Sequence, residues 1–288
     1  MSINSTSKRA MRRALLTVTL VLGGLAIVTS AALAGTHHRR HHAQYSSGPK
    51  PTIVLVHGAW ANTASWDGVI ERLEAEGYTV YAPPNPLRSL QGDAETIADF
   101  MKTISGPIVL VGHSYGGAVI TDAANEVPNV KALVYVDAFA PAKGESAFEL
   151  TAKFRGSVLT SAPPSTVFRS VSYPGAPSGD ALVYVNPSFF KKGFANDLSP
   201  EESAVAEATQ APAALSALEA PSGPPAWEHI PSWDVVGTID NAIPEAAQLF
   251  MAQRAHAHIT EVRAGHLSMV SQPGVVTKVI TKAARAVG

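Results

Sequence analysis

From Pro51 onwards, short apolar runs alternate with amphipathic stretches. Hydrophobic residues are continuous within each short run, which predicts strands that are buried on both faces. The six predicted strands are Thr52–His57, Thr79–Ala82, Ile108–Val111, Ala132–Val136, Ser232–Val236 and His258–Val262. The predicted helices are Ser65–Glu76, Asp93–Ser105, Tyr115–Asn125, Pro244–Ala255 and Gly274–Val287. This alternation predicts an α/β fold with a doubly wound, mostly parallel sheet.

One segment of roughly 90 residues, from about Pro141 to Ile230, has no such strand and is rich in proline. Connections between elements in a compact domain are usually much shorter. Helical character returns over Pro200–Leu218, and Phe194 and Trp227 offer apolar surface nearby. We therefore expect residues 141–230 to form an inserted cap over the carboxyl edge of the sheet.

The first 34 residues have a pattern of their own. Four basic side chains precede the uncharged stretch Ala14–Ala34: Lys8, Arg9, Arg12 and Arg13. This pattern predicts a signal peptide that is cleaved after Ala34, followed by a polar linker rich in His, Arg and Ser over residues 35–50. We expect a secreted bacterial protein, extracellular or periplasmic. An uncleaved membrane anchor is the alternative, because the uncharged stretch could just span a bilayer. Only then would the chain contact a membrane.

Charge and cysteine content narrow the function classes. The formal net charge is −1, and basic residues are spread thinly through the body of the chain rather than gathered into patches. This distribution argues against nucleic acid as a partner. The chain has no cysteine, which excludes disulfides, a thiol nucleophile and thiolate metal sites.

The strongest chemical signal is the G-x-S-x-G sequence of Gly112–Gly116, between the predicted strand Ile108–Val111 and the helix that begins at Tyr115. A strand, this motif and a helix in that order are the arrangement of a nucleophile elbow. The turn strains the backbone of Ser114 and exposes its hydroxyl at a helix N-terminus, and glycines let neighbouring elements approach closely. Ser114 is therefore the predicted nucleophile.

A serine hydroxyl needs a base to take its proton as it attacks. In proteins with such an elbow, the chain order is serine, acid, histidine, and the histidine follows the last strand. His266 has that position and is the predicted base, with His229 as the rival.

The acid must follow a strand between the serine and the histidine, so that a carboxylate can orient the imidazole. Asp240 comes after the strand Ser232–Val236 and is the predicted acid. Asp137, at the end of the strand Ala132–Val136, is the alternative.

Backbone amides must stabilise the oxyanion that forms during the reaction. One donor is expected from the residue after the nucleophile, Tyr115, and the other from the loop after the first strand, where Ala59 is the predicted donor. Trp60 and Tyr115 are also predicted to contact the substrate. His57 is expected to brace this loop rather than transfer protons.

With these residues in place, the chain resembles the α/β-hydrolase superfamily over nearly all of residues 51–287. It is most similar to a compact bacterial esterase-like branch, itself similar to plant methylesterases and hydroxynitrile lyases. The segments that carry the resemblance are VLVHGAW (54–60), LVGHSYGG (110–117), VYVDAFAP (134–141), PSWDVVGTID (231–240) and GHLSMVSQP (265–273), together with Trp66. The resemblance implies one hydrolase domain over residues 51–288. It also implies hydrolysis of a small-molecule carboxylic ester through an acyl-enzyme, without a metal or organic cofactor.

Three other functions share this scaffold. Perhydrolysis of the haloperoxidase type uses the same three residues, with hydrogen peroxide in place of water. The hydroxynitrile lyases resembled here carry a lysine and a threonine where this chain has Leu267 and Gly58, which disfavours lyase chemistry. A receptor that binds a small molecule without turnover is disfavoured by the intact set of three residues.

Overall fold

A computed structural model describes residues 50–288. The signal peptide predicted over residues 1–34 lies outside the described residues, as does the linker predicted over 35–50 except for its last residue. Nine strands occur in the described part: β1 Thr52–Val56, β2 Val80–Tyr81, β3 Ile108–His113, β4 Val130–Val136, β5 Phe168–Val171, β6 Leu182–Val185, β7 Ala213–Ala214, β8 Ser232–Gly237 and β9 His258–Val262.

The main sheet has six strands in the order β2-β1-β3-β4-β8-β9, and every neighbouring pair is parallel. Strands β1 and β3 pair from Thr52 opposite Ile108 to Val56 opposite Gly112. The six predicted strands are all present, and the predicted doubly wound, mostly parallel sheet is confirmed. Because the strands are parallel, the carboxyl ends of β3, β4, β8 and β9 meet at one edge.

Helices cover both faces of this sheet. Those described are α1 Asp67–Ala75, α2 Leu90–Lys102, α3 Tyr115–Ala123, α4 Ala147–Lys153, α5 Pro164–Val167, α6 Pro187–Gly193, α7 Pro200–Ala208, α8 Leu215–Glu219, α9 Glu245–Arg254, α10 Ser268–Ser271 and α11 Pro273–Val287. Short 3₁₀ turns occur at Thr63–Trp66, Ala124–Glu126, Val158–Thr160 and Ala226–Glu228. Among residues 50–288, no helix is both long and apolar enough to cross a membrane.

The sheet separates two apolar cores. One lies between the sheet and helices α1 and α11, where Trp66, Leu73 and Ile280 are fully buried. The other lies on the side of α2 and α3 and continues into the segment between β4 and β8. Alternate residues of the buried strands, such as Leu110 and Val111, supply the two cores in turn.

The segment between β4 and β8 contains helices α4 to α8 and a separate antiparallel sheet of β5, β6 and β7. We call residues 141–230 the cap. The sequence pattern did not predict the small sheet, because its strands are only two to four residues long. The helical character predicted over Pro200–Leu218 is interrupted: α7 ends at Ala208, Ala213 pairs with Val183 of β6, and α8 begins at Leu215. Pro212 has no amide hydrogen to continue a helix there.

Trp60, in the loop after β1, fastens the cap to the rest of the domain. Its amide donates to the carbonyl of Ala211 at 2.8 Å, and its indole Nε1 donates to the carbonyl of Val183 at 2.7 Å. The ring stacks on Phe168 at 5.5 Å and meets Phe194 edge-on at 5.4 Å. One residue thus contacts the cap at four positions.

Candidate active site

Ser114 forms the turn between β3 and α3 and is almost completely buried. Its backbone has φ 53° and ψ −125°, a strained conformation for a residue with a side chain, as the elbow motif predicts. Backbone segments of neighbouring elements pack closely around this turn. A Cβ built on Gly112 would lie 2.5 Å from the carbonyl oxygen of Gly116, and one built on Gly116 would lie 2.5 Å from that of Val56. These two glycines permit contacts that a side chain would prevent.

We predict that Gly112→Ala and Gly116→Ala each lower the free energy of unfolding by about 1–3 kcal/mol, because backbone must move to admit the methyl group. Urea unfolding followed by circular dichroism measures the change. Gly274→Ala, in α11, is the matched control, since a Cβ there meets nothing within 4 Å. It should leave stability unchanged or raise it by up to about 1 kcal/mol. Equal midpoints for all three variants would contradict the prediction.

His266 lies in the loop between β9 and α10 and is fully buried. The hydroxyl of Ser114 donates to its Nε2 at 2.8 Å, and its Nδ1 donates to Oδ2 of Asp240 at 2.7 Å. A carboxylate only accepts hydrogen bonds, so this geometry sets the tautomer with the proton on Nδ1. Burial lowers the pKa of His266 to about 3, and the imidazole is therefore neutral and able to take a proton.

Asp240 lies in the turn after β8 and accepts four hydrogen bonds. Its Oδ1 accepts from the amides of Ala242 at 2.7 Å and Ile243 at 2.9 Å. Its Oδ2, besides accepting from His266, accepts from Nε2 of Gln248 at 2.8 Å. Burial raises the pKa of Asp240, and these backbone and side-chain donors act in the opposite direction. The structure thus brings the three residues predicted for catalysis into one hydrogen-bonded chain, while their catalytic roles stay predictions.

The alternatives for the acid and the base lie elsewhere. Asp137, at the end of β4, is fully buried, and its Oδ2 accepts from the backbone amide of Ser268 at 3.1 Å. Asp137 therefore supports the backbone just after His266. Among the described residues, no hydrogen bond joins it to the imidazole. His229 is exposed at the end of the 3₁₀ turn before β8. It is not one of the residues that meet Ser114.

His113, a residue that the sequence analysis did not assign, holds the loop of His266. It is fully buried, its Nε2 donates to the carbonyl oxygen of His266 at 2.8 Å, and the two rings lie 4.9 Å apart. Burial lowers the pKa of His113 well below its ordinary value, so the ring is neutral. Its position beside Ser114 in the elbow motif is the sequence feature that could have indicated this role. Gln248 was missed as well, since it lies on α9, away from every motif.

Two backbone amides near Ser114, those of Tyr115 and Ala59, were predicted to stabilise an oxyanion, and that role stays a prediction. Tyr115 is the first residue of α3, so its amide has no partner inside the helix. The amide of Ala59 has no acceptor among the backbone pairs of the described residues, whereas that of Trp60 is occupied by the cap. A Cβ on Gly58 would lie 3.1 Å from the amide nitrogen of Tyr115, which shows how closely this loop approaches the elbow.

His57 braces the same loop, as expected. Its Nδ1 donates to the carbonyl of Gly58 at 3.0 Å, and its Nε2 accepts from the amide of Asn85 at 3.0 Å. Burial lowers the pKa of His57, in agreement with a neutral ring that accepts at Nε2. Both nitrogens are therefore engaged away from Ser114.

A narrow pocket opens onto Ser114 and His266. Nearly all of its lining is apolar: Ala59, Trp60, Tyr115, Phe139, Ala147, Phe148, Leu159, Leu218, Ala242 and Ile243, with Thr151 as the polar exception. Trp60 and Tyr115, predicted to contact the substrate, both line it. The Tyr115 hydroxyl is turned to Oδ2 of buried Asp93 at 2.8 Å. Thr151 donates to the carbonyl of Ala147 in its own helix, and none of these lining residues carries a charge. Within residues 50–288, no cluster of three or more His, Asp or Glu side chains is arranged to hold a metal ion.

Several proteins of known sequence are similar to this chain. The alpha/beta hydrolase nvfD of Aspergillus novofumigatus is 28% identical over 256 residues, which cover 82% of this chain and 97% of nvfD. The carbendazim hydrolyzing esterase of a Nocardioides species is 34% identical over 114 residues, 35% of this chain and 47% of the esterase. The pyrethroid hydrolase of Sphingobium wenxiniae is 35% identical over 104 residues, 32% of this chain and 37% of the relative. The chain thus matches less than half the length of these last two relatives.

Solved structures share the fold. Polyneuridine aldehyde esterase superposes with a TM-score of 0.67 at 20% identity, covering 81% of this chain and 99% of the esterase. A pyrethroid hydrolase from Sphingobium faniae superposes with a TM-score of 0.65 at 23% identity, covering 82% and 98% of the two chains. The sequence model of the alpha/beta hydrolase family matches residues 53–279. The chain therefore belongs to the alpha/beta hydrolase family.

Proposed function

We propose that this alpha/beta hydrolase is a serine carboxylic ester hydrolase that works through an acyl-enzyme. The observation that carries the proposal is the buried chain of hydrogen bonds from Ser114 through His266 to Asp240, at the end of an apolar pocket. A serine hydroxyl is a weak nucleophile alone, and a neutral imidazole held against it supplies the missing base.

Acylation begins when His266 Nε2 takes the hydroxyl proton as Ser114 Oγ attacks the ester carbonyl. The carbonyl oxygen becomes an oxyanion, and the amides of Ala59 and Tyr115 stabilise it, each by about 3 kcal/mol in the transition state. The intermediate collapses, the bond to the alcohol oxygen breaks, and His266 returns the proton to that oxygen. Asp240 stabilises the imidazolium that exists between these two transfers.

Deacylation repeats these steps with water. His266 takes a proton from a water molecule as the water oxygen attacks the acyl carbonyl, and the same two amides stabilise the second oxyanion. The bond to Ser114 Oγ then breaks, and His266 gives the proton back to the serine. One ester and one water thus yield one acid and one alcohol, with the enzyme unchanged.

The apolar lining supports a substrate with a neutral acyl group of small or medium size. The relatives whose names state an esterase or a pyrethroid hydrolase support ester hydrolysis as the reaction class. The Tyr115 and Thr151 hydroxyls of the pocket lining already donate to acceptors of the protein. A charged acyl chain would therefore lose its hydration without gaining a hydrogen bond from them. Such an unpaired charge is strongly unfavourable in an apolar site.

We predict that the protein hydrolyses p-nitrophenyl hexanoate with a kcat/KM at least about 100-fold higher than that for mono-p-nitrophenyl adipate. The two acyl chains have the same length and differ by a terminal carboxylate. Release of p-nitrophenol, corrected for the spontaneous rate, measures both. Similar values for the two esters would contradict the proposed pocket, and no turnover of either would contradict the proposed function.

We also propose that the protein acts outside the cytoplasm, after removal of residues 1–34. The support is the sequence pattern alone: basic residues, an uncharged stretch and small residues before the cleavage position. N-terminal sequencing of protein collected from culture medium or periplasm would find Gly35 first. A chain that stays with the membrane fraction and keeps its basic residues would instead support the anchor.

A further inference from the structure

Two polar residues of the cap contact the two loops that carry the acid and the histidine. Asn196 and Asp197 lie between α6 and α7. Nδ2 of Asn196 donates to the carbonyl of Ile239, the residue before Asp240, at 2.8 Å. Oδ2 of Asp197 accepts from the amide of Gly265, the residue before His266, at 2.8 Å. The pair therefore connects the backbones of both loops through one point of the cap.

Gly265 shows how tight this contact is. A Cβ at that position would lie 2.6 Å from Oδ1 of Asp197, and it would also overlap Oδ1 of Asn196. Both of these oxygens are buried, and neither has a hydrogen-bond partner among the described residues. The absence of a side chain at Gly265 lets the cap carboxylate come directly against the chain beside His266.

The charges around His266 come from four elements. Asp240 faces its Nδ1, His113 packs beside its ring, Asp137 contacts the backbone two residues further on, and Asp197 approaches from the cap. His113 is neutral because burial lowers its pKa, and burial raises the pKa of Asp137 well above its ordinary value. Asp197 is thus the acidic side chain that reaches the His266 loop from the cap, in addition to Asp240 and Asp137 from the main sheet.

We propose that Asp197 is a positioning residue of the active site, whose carboxylate holds the backbone of the His266 loop and stabilises the imidazolium as it forms. The inference rests on the proposed function, because it assigns Asp197 a role in proton transfer at Ser114. Burial lowers the pKa of His266, and the charge of Asp197 acts in the opposite direction. Cap and base are thereby coupled, because a carboxylate of the cap contributes to stabilising the imidazolium.

The test uses the mature chain and the rate at which phenylmethylsulfonyl fluoride modifies Ser114, followed by mass spectrometry from about pH 2 to pH 8, a range that includes the pKa of His266 at about 3. This reaction needs the serine and its base but no ester turnover, so it separates failure of this inference from failure of the proposed function. Asp197→Asn keeps an oxygen that accepts from Gly265 and removes the charge. Asp99→Asn, on the exposed surface of α2, removes the same charge elsewhere.

For Asp197→Asn we expect a rate on the pH plateau about tenfold below that of the parent, and an acid limb that moves to lower pH by up to about one unit. The sign follows because a lost negative charge destabilises the imidazolium. Asp197→Glu restores the charge and should return the acid limb to its parental position, and Asp99→Asn should match the parent.

A purely structural role predicts a different result. If Asp197→Asn has the parental rate and acid limb and differs only in its thermal unfolding midpoint, the inference is overturned. Asp197→Ser is a second uncharged variant and keeps the test decisive should the asparagine variant not fold. Modification of the parent without any ester turnover would count against the proposed function and leave the comparison for Asp197 valid.

Discussion

Ser114→Ala is expected to lower kcat for p-nitrophenyl hexanoate by at least about 10⁴-fold while leaving the fold intact. The hydroxyl is the atom that attacks in the proposed reaction, and alanine has nothing in its place. The Cβ that alanine keeps already occupies the strained turn, so the elbow itself does not need to change. Initial rates measured under saturating substrate, together with circular dichroism, check both parts of the expectation.

Ser271→Ala provides the control for this variant. Ser271 lies on α10, five residues after His266, and its buried hydroxyl has no hydrogen-bond partner among the described residues. We expect it to keep kcat within about threefold, because removing an unpaired hydroxyl disturbs little. If Ser114→Ala retained a tenth of the parental rate, another nucleophile would have to be sought.

The strands of the main sheet and the elbow could be predicted from the sequence because both depend on local patterns. Continuous apolar runs mark strands such as Ile108–Val111, and the glycines beside Ser114 leave a motif of fixed spacing. The positions of Asp240 and His266 follow from their place after successive strands of the chain, since parallel strands have their carboxyl ends at one edge.

Other parts of the site depend on contacts between distant segments, and no local pattern reports them. Gln248 reaches Asp240 from the next helix, and His113 reaches the carbonyl of His266 across 153 positions of sequence. Asp197 lies in the cap, where short strands and many prolines leave no regular hydrophobic periodicity from which its position could be predicted. The sequence therefore indicates candidates for the reacting residues, whereas the residues that hold these candidates appear only in three dimensions.

Asp240→Asn is expected to lower kcat by about 10⁴-fold, because an amide has no charge to stabilise the imidazolium and can turn its NH₂ group to His266, which selects the wrong tautomer. Asp240 accepts hydrogen bonds on both oxygens, and asparagine has one oxygen and one NH₂ group. If the amide oxygen faces His266, the NH₂ group meets the donating amides of Ala242 and Ile243. If it is turned round, NH₂ meets the donors of His266 and Gln248. Each orientation leaves donors unpaired and also lowers the free energy of unfolding, by about 1–3 kcal/mol.

Asp137→Asn is the matched variant and decides between the two acids that the sequence left open. Burial raises the pKa of Asp137 well above its ordinary value, which favours its uncharged form. Asparagine is uncharged and retains an oxygen that can accept from the amide of Ser268. We expect kcat within about tenfold of the parent, since the hydrogen bond to His266 comes from Asp240. A larger loss for Asp137→Asn than for Asp240→Asn, with both variants folded, would transfer the role of the acid to Asp137. The 2.7 Å contact between His266 Nδ1 and Asp240 Oδ2 argues for the opposite order.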